Sequence, residues 1–294
     1  MNGSPTNRSK HVGFIGLGNM GRPMVAHLVR QGATVIAYDI VADRLAAVVR
    51  SGAQAGGSAA EVVARCDVVL LSLFDGRVVE SVMSEVFASP RAGVCIADLS
   101  TCDRDTAAPL AAHATGLGMG FIDAPVSGGP ARAGNGTLTI MAGGGAADVE
   151  RALPVLRTLG SDVVHVGGPG AGYAAKLVNN MVAIANFVVA AEALDVAERA
   201  GIALETMAAI MSTGTGASTS LARMMPRALA GDYSPGAGSL GLIRKDIELA
   251  LRLGQSVGRR LEIQEMVQRI LDSAVEAGVG DYDAAYLMEL ARRP

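Results

Sequence analysis

Four short segments hold the residue types whose spacing could do chemistry. The first is Gly16-Leu17-Gly18-Asn19-Met20-Gly21, a GxGxxG that follows an apolar, β-patterned run and precedes a helical pattern. The first glycine of such a loop permits a tight turn, the second lets the backbone approach a pyrophosphate, and the third allows close helix–strand packing. Amides at the helix start then hold the diphosphate, and Pro23 falls in the first turn, where no amide is needed. A second apolar run ends in Asp39. A carboxylate at this distance accepts hydrogen bonds from the adenosine ribose hydroxyls and repels a 2′-phosphate, which favours NAD over NADP. Asp39 could instead cap the helix that follows it, and nearby Arg44 leaves NADP open.

Asp98-Leu99-Ser100-Thr101 ends another apolar run. In an open α/β sheet, ligands bind outside the carboxyl ends of strands, so these hydroxyls are well placed, although a Ser/Thr turn would use the same residues. In Asp123-Ala124-Pro125-Val126-Ser127-Gly128-Gly129-Pro130, Ser127 and two glycines expose a hydroxyl and consecutive amides. That arrangement suits a carboxylate, or equally a plain loop. The fourth segment, Gly170-Ala171-Gly172-Tyr173-Ala174-Ala175-Lys176, runs into a long apolar stretch. Lys176 and Asn180 are four apart and project from one helical face. A lysine beside an uncharged ring and largely out of water would have its pKa lowered towards neutrality, which suits proton transfer. A lysine snorkelling from a helix start is the plainer reading.

The elements that must carry these segments follow from the pattern. Short Val- and Ile-rich runs at 11–15, 34–38, 67–73, 94–98, 120–123, 138–142 and 163–166 alternate with helix-patterned stretches. This predicts βαβ units, hence an α/β Rossmann domain with a mainly parallel sheet. From Gly170 the strand signal disappears and long helical patterns follow, which predicts an all-α C-terminal domain. The expected organisation is a polar, disordered leader over residues 1–10, a dinucleotide-binding domain over 11–170, and a helical substrate and oligomerisation domain over 171–294. The apolar stretch at 177–194 nears the length of a membrane span. It contains Asn179, Asn180, Asn186 and Glu192, so a buried interdomain helix is expected and no membrane partner.

The net charge of −3, with arginines scattered singly or in pairs, gives no reason to expect a nucleic-acid partner. Three cysteines and four separated histidines have no metal-ligand spacing, so no metal is expected. The odd, small number of thiols suits a reducing cytosol.

From about His11 to Leu290 the chain resembles the β-hydroxyacid dehydrogenase family. GLGNMGRPMVAHL resembles its cofactor loop, DLST its nicotinamide-side strand end, DAPVSGGPARAGNGTLTIMAGG its substrate loop, and GAGYAAKLVNN its catalytic helix. The resemblance implies reversible oxidation of a small 3-hydroxy acid of the 3-hydroxyisobutyrate or tartronate semialdehyde type. Lys176 is then the catalytic lysine, Asn180 orients the substrate, and Ser127, Gly128 and Gly129 bind its carboxylate. Gly16, Leu17, Gly18, Asn19, Met20, Asp39, Leu73, Thr101 and Lys245 contact the cofactor. Physics alone does not select Lys245, since a lysine beside an aspartate on a helix is usually surface. Two departures affect substrate choice: Phe74 stands where the family usually has proline, and Ala284-Ala285 where a serine is common. Rival readings are a binding module without catalysis, an imine reductase on the same fold, and a 6-phosphogluconate dehydrogenase relative. Retention of Lys176 and Asn180 counts against the first, Lys176 against the second, and chain length against the third. Family members are commonly dimers or tetramers, and the apolar helical half suits that.

Overall fold

The computed structural model describes residues 11–236 and 238–293, so the expected leader lies outside the described residues. The chain divides into two compact units, Met1–Lys176 and Leu177–Pro294.

The first unit alternates strands with helices. It begins β1 (His11–Ile15), α1 (Gly21–Arg30), β2 (Thr34–Tyr38), α2 (Ala42–Arg50), β3 (Gln54–Ala55) and α3 (Ala59–Arg65). Then come β4 (Val68–Leu71), α4 (Gly76–Ala88), β5 (Cys95–Asp98), α5 (Ala107–Gly116), β6 (Gly120–Asp123) and β7 (Val126–Ser127). α6 (Gly129–Asn135), β8 (Leu138–Gly143), α7 (Ala146–Leu159) and β9 (Gly160–Gly167) follow, before α8 (Ala171–Arg199) begins. The sheet order is β3-β2-β1-β4-β5-β6-β8-β7, with β9 on β8. Every pair from β3 through β6 is parallel, and β8 is antiparallel to β6 and β7. The order reverses between β1 and β4, the switch point at which open α/β sheets bind ligands. The expected Rossmann fold is therefore the observed one.

Near-continuous apolar runs form these strands because both faces are covered. Val12, Phe14, Val68, Leu70, Cys95 and Ala97 pack into one core cluster. The alternate residues Ile15, Val69, Leu71 and Ile96 pack into the other. Gly13 takes its turn on the second face, where a Cβ would lie 2.6 Å from Val62 Cγ1.

The short elements β3, β7, α3 and α6 were not among the expected ones. They have two residues per strand and seven per helix, too few for a periodic pattern to emerge. α3 is fixed instead by its cap, with Ser58 Oγ accepting from Glu61 N at 3.1 Å.

The second unit is helical among its described residues. The remainder of α8 is followed by α9 (Leu204–Thr213), α10 (Thr219–Leu229), α11 (Leu240–Ser256), α12 (Glu262–Glu276) and α13 (Leu287–Ala291). Ile184, Phe187 and Leu194 of α8 enter its core with Leu221, Met224, Ile247, Leu271 and Leu287. By length and composition α8 could cross a membrane, yet these three residues pack as those of a core helix do.

All three cysteines are buried and none is in a disulfide. Burial pushes Cys66 and Cys95 up to about 12, so almost no thiolate exists at either near neutrality. In native protein at pH 8, Cys66 and Cys95 should be inert to a thiol-specific disulfide reagent and react fully in denaturant. Prompt native labelling of either, located by peptide mass spectrometry, would contradict this packing.

Candidate active site

The glycine loop has the geometry a dinucleotide needs. Gly16 has φ +95°, and a Cβ there would collide with the Ser72 carbonyl. At Gly21 a Cβ would collide with the Gly16 carbonyl and lie 3.1 Å from the Phe14 ring, so both glycines are required by close backbone approach. At Gly18 a Cβ would meet nothing within 4 Å, which leaves the open space a pyrophosphate would fill. Leu17 is buried beneath the loop, Asn19 is exposed and Met20 half-buried. The residues present fit a nicotinamide dinucleotide.

Asp39 does two structural jobs at this place. Its Oδ2 accepts from Leu17 N at 2.6 Å and its Oδ1 from Val41 N at 2.8 Å. The first bond ties the carboxylate to the glycine loop, and the second forms the turn before α2; the N-cap of that helix is Val41, with no side-chain cap bond, so the capping role weighed for Asp39 is not observed. The half-exposed Arg44 guanidinium stands 3.9 Å from Oδ2.

At the carboxyl ends of β5 and β6 the register pairs Asp98 with Asp123. Both are fully buried. Ser100 N and Oγ donate to Asp98 Oδ1 at 3.1 and 2.5 Å, and Cys102 Sγ lies 3.8 Å from Oδ2. The Tyr173 hydroxyl also donates to Oδ2. Ser100 Oγ accepts in turn from Leu73 N at 2.8 Å. Of the two hydroxyls expected to face a ligand, that of Ser100 is therefore committed to structure, while Thr101 is half-buried. Phe74, in place of the usual proline, is 65% exposed.

Asp123 accepts from Gly170 N at 2.8 Å and Tyr173 N at 2.9 Å, in the first turn of α8. Burial pushes both carboxyls above the ordinary aspartate range, against the pull of their donors. Tyr173 is raised well above its usual value, first by burial and then by the Asp98 charge. Lys176, one turn further on, is half-buried. In the loop after β6, Ser127 ends β7, and Gly128 and Gly129 have φ +137° and +73°. Only glycine adopts both readily, so the expected run of bare backbone is present.

In the second unit Asn180 is buried, and its Nδ2 donates to Asp246 Oδ2 at 2.7 Å. Asp246 Oδ1 lies 3.3 Å from Lys245 Nζ, whose side chain is 17% exposed. One carboxylate thus links Asn180 of α8 to Lys245 of α11. Among the described residues, no group of three or more His, Cys, Asp or Glu could hold a metal ion.

A glycine-loop Rossmann sheet in this strand order defines a dinucleotide-binding protein. The family model for the NAD binding domain of 6-phosphogluconate dehydrogenase matches residues 11–167. That for the NAD-binding domain of NADP-dependent 3-hydroxyisobutyrate dehydrogenase matches residues 170–291. The chain is 37% identical to 2-(hydroxymethyl)glutarate dehydrogenase of Eubacterium barkeri, over 96% of this chain and 95% of that one. It is 30% identical to 3-sulfolactaldehyde reductase of Escherichia coli, with the same coverage of 96% and 95%. A solved structure of Mycobacterium tuberculosis 3-hydroxyisobutyrate dehydrogenase with L-serine superposes with a TM-score of 0.87 at 32% identity, covering 97% and 99% of the two chains. The chain belongs to the β-hydroxyacid dehydrogenase family. It is an NAD(P)-dependent oxidoreductase acting on the hydroxyl group of hydroxy acids.

Sequence reasoning missed Asp98, Asp123, Tyr173 and Asp246 as parts of this machinery. The available signal was a carboxylate closing an otherwise apolar run at 98 and again at 123; nothing comparable marks Asp246. Truncating Asp246 to Ala leaves the buried Asn180 amide without its acceptor, at a cost of about 1–3 kcal/mol. Urea unfolding followed by circular dichroism should register a loss of that size, and an unchanged midpoint would mean that the link is dispensable.

Proposed function

We propose that the chain oxidises a small 3-hydroxy acid reversibly, with Lys176 as the general acid and base. The observation that supports this best is the start of α8, bonded to the carboxyl ends of β5 and β6, with Lys176 one turn beyond. The carboxyl edge of the sheet is where a ligand of this fold binds. A bound nicotinamide would supply the hydride acceptor for oxidation and the donor for the reverse direction. In oxidation, neutral Lys176 Nζ takes the hydroxyl proton as the C–H bond breaks. In reduction, the lysine ammonium returns the proton and stabilises negative charge on the oxygen.

Ser127, Gly128 and Gly129 hold the substrate carboxylate, which turns the reacting carbon towards the cofactor. Asn180 orients the substrate from the same helical face as Lys176, its amide fixed by Asp246. Gly16, Leu17, Gly18, Asn19 and Met20 cradle the diphosphate, and Leu73, Thr101 and Lys245 contact the cofactor. Asp39 favours NAD over NADP. The expected substrate is of the 3-hydroxyisobutyrate or tartronate semialdehyde type. The relatives' own names, which include a hydroxymethyl dicarboxylate and a sulfonated aldehyde, widen the panel worth testing.

Absorbance of reduced nicotinamide should be followed across 3-hydroxyisobutyrate, glycerate, L-serine and 2-(hydroxymethyl)glutarate, with NAD and NADP separately. We expect turnover that prefers NAD. Lys176→Ala should lower kcat on the order of a hundredfold or more while cofactor binding is largely kept. Near-wild-type turnover in that variant would end the lysine assignment. Cofactor binding with no turnover on any acid would favour the binding-module reading.

We further assign a homodimer or homotetramer working in the cytoplasm. Val178, Val182, Val189 and Val196 are 53%, 62%, 59% and 64% exposed, and their spacings of four and seven residues align them along α8. An exposed apolar stripe of this kind marks an interaction surface. Cysteines held outside any disulfide suit a reducing compartment. Light scattering should return two or four times the 29.9 kDa chain mass, and Val182→Lys with Val189→Lys should reduce it. A wild-type mass equal to one chain would exclude the assembly.

A further inference from the structure

We infer that Asp98 is a positioning residue that holds three separate site segments in register, acting on Lys176 through the Tyr173 hydroxyl. This rests on the reading of Lys176 as the catalytic lysine. Each arm of the contact is distinct. Through Ser100 Oγ the carboxylate holds Leu73 N, at the end of the β4 loop. Through Ser100 N and Cys102 Sγ it holds the residues on either side of Thr101. Through Tyr173 it holds the first turn of α8, one turn before Lys176. Leu73 and Thr101 are two of the residues assigned to the cofactor, so one buried group sets cofactor contacts and the proton-transferring lysine against each other.

The chemistry of the pair suits this use better than a role in proton transfer. Asp98 is 0% exposed and Tyr173 is 0% exposed, so neither can meet a substrate. All four groups around the carboxylate are donors, and an acceptor-only carboxylate is the side chain that satisfies them together. Packing removes the remaining freedom, because a Cβ at Gly172 would collide with the carbonyls of Asp123 and Met141. At Gly143 a Cβ would lie 2.6 Å from Gly172 N. The helix start is thus pressed on the strand ends, with Asp123 receiving two of its amides and Asp98 its tyrosine. A group displaced by about 1 Å from its reacting position can lose two orders of magnitude in rate.

Tyr173→Phe deletes one hydroxyl and conserves volume, so it cuts the α8 arm alone. Amide hydrogen exchange by mass spectrometry, which needs no ligand, should quicken at least ~tenfold over residues 170–177 with the rest of the sheet unchanged. With NAD and 3-hydroxyisobutyrate, or whichever panel acid turns over fastest, kcat should fall about ten- to a hundredfold. The Kd for NAD should stay within about threefold of wild type, as expected for a loss confined to the transition state. In a Lys176→Ala background the same change should have no further effect on the residual rate, because its effect passes through the lysine. Asp98→Asn, which turns two acceptor positions into an NH2, should show the same split between kcat and Kd.

Unchanged exchange at 170–177 in Tyr173→Phe would overturn the clasp itself. Full activity in Tyr173→Phe beside an inactive Lys176→Ala would overturn the inference and leave the lysine reading intact. An equal loss in the Lys176→Ala background would assign Tyr173 a structural role only. Wild-type turnover in Lys176→Ala would remove the lysine reading first and the purpose of the clasp with it.

Discussion

A helix that begins inside a protein must find acceptors for the amides of its first turn. α8 finds them on Asp123, whose carboxylate takes the Gly170 and Tyr173 amides at 2.8 and 2.9 Å. The arrangement works against the cost of burying a charge, and that cost is visible in the upward push on the Asp123 carboxyl. Opposing it are charge-assisted hydrogen bonds and the positive end of a 29-residue helix. The close backbone approach at Gly143 and Gly172 and the burial of Tyr173 accompany that anchorage, with Lys176 one turn further along the helix.

The same economy of side chains recurs on the cofactor side. Ser100 accepts from one loop while donating to the carboxylate of its own strand end. In the helical unit, Asp246 serves Asn180 and Lys245 together. In each case one side chain ties together two segments that are distant in sequence. Their apolar surroundings strengthen each contact and raise the penalty for losing one partner.

Much of the fold was legible in the amino-acid pattern. Runs such as VVLLSL read as doubly covered strands because alternate residues of β4 do enter opposite cores. The glycine loop was legible because backbone approach at Gly16 and Gly21 admits no other residue. β3, β7 and α6 escaped because periodicity needs length. The site was legible only where local backbone geometry dictates residue type, as at Gly128 and Gly129. Asp98 and Tyr173 lie 75 residues apart in sequence, and no local pattern distinguishes a strand-end aspartate that meets solvent from one sealed beneath a helix. Ser100 shows the converse, since a hydroxyl at a strand's carboxyl end looked available to a ligand and is spent on neighbouring backbone. Asp246 beside Lys245 resembled a surface pair until the buried Asn180 was found on its other oxygen.

The bond from Leu17 to Asp39 bears on how such an enzyme could be redesigned. In Rossmann folds an acidic residue at the end of the second strand segment can hydrogen-bond the adenosine ribose, and the position just after β2 invites exchange by anyone wishing to change cofactor. Here the same carboxylate is also the acceptor for an amide of the phosphate cradle, at 2.6 Å. Replacing it with a small or basic side chain would remove that acceptor and unpin the loop. Any exchange at residue 39 would therefore need a second change that gives the Leu17 amide a new acceptor.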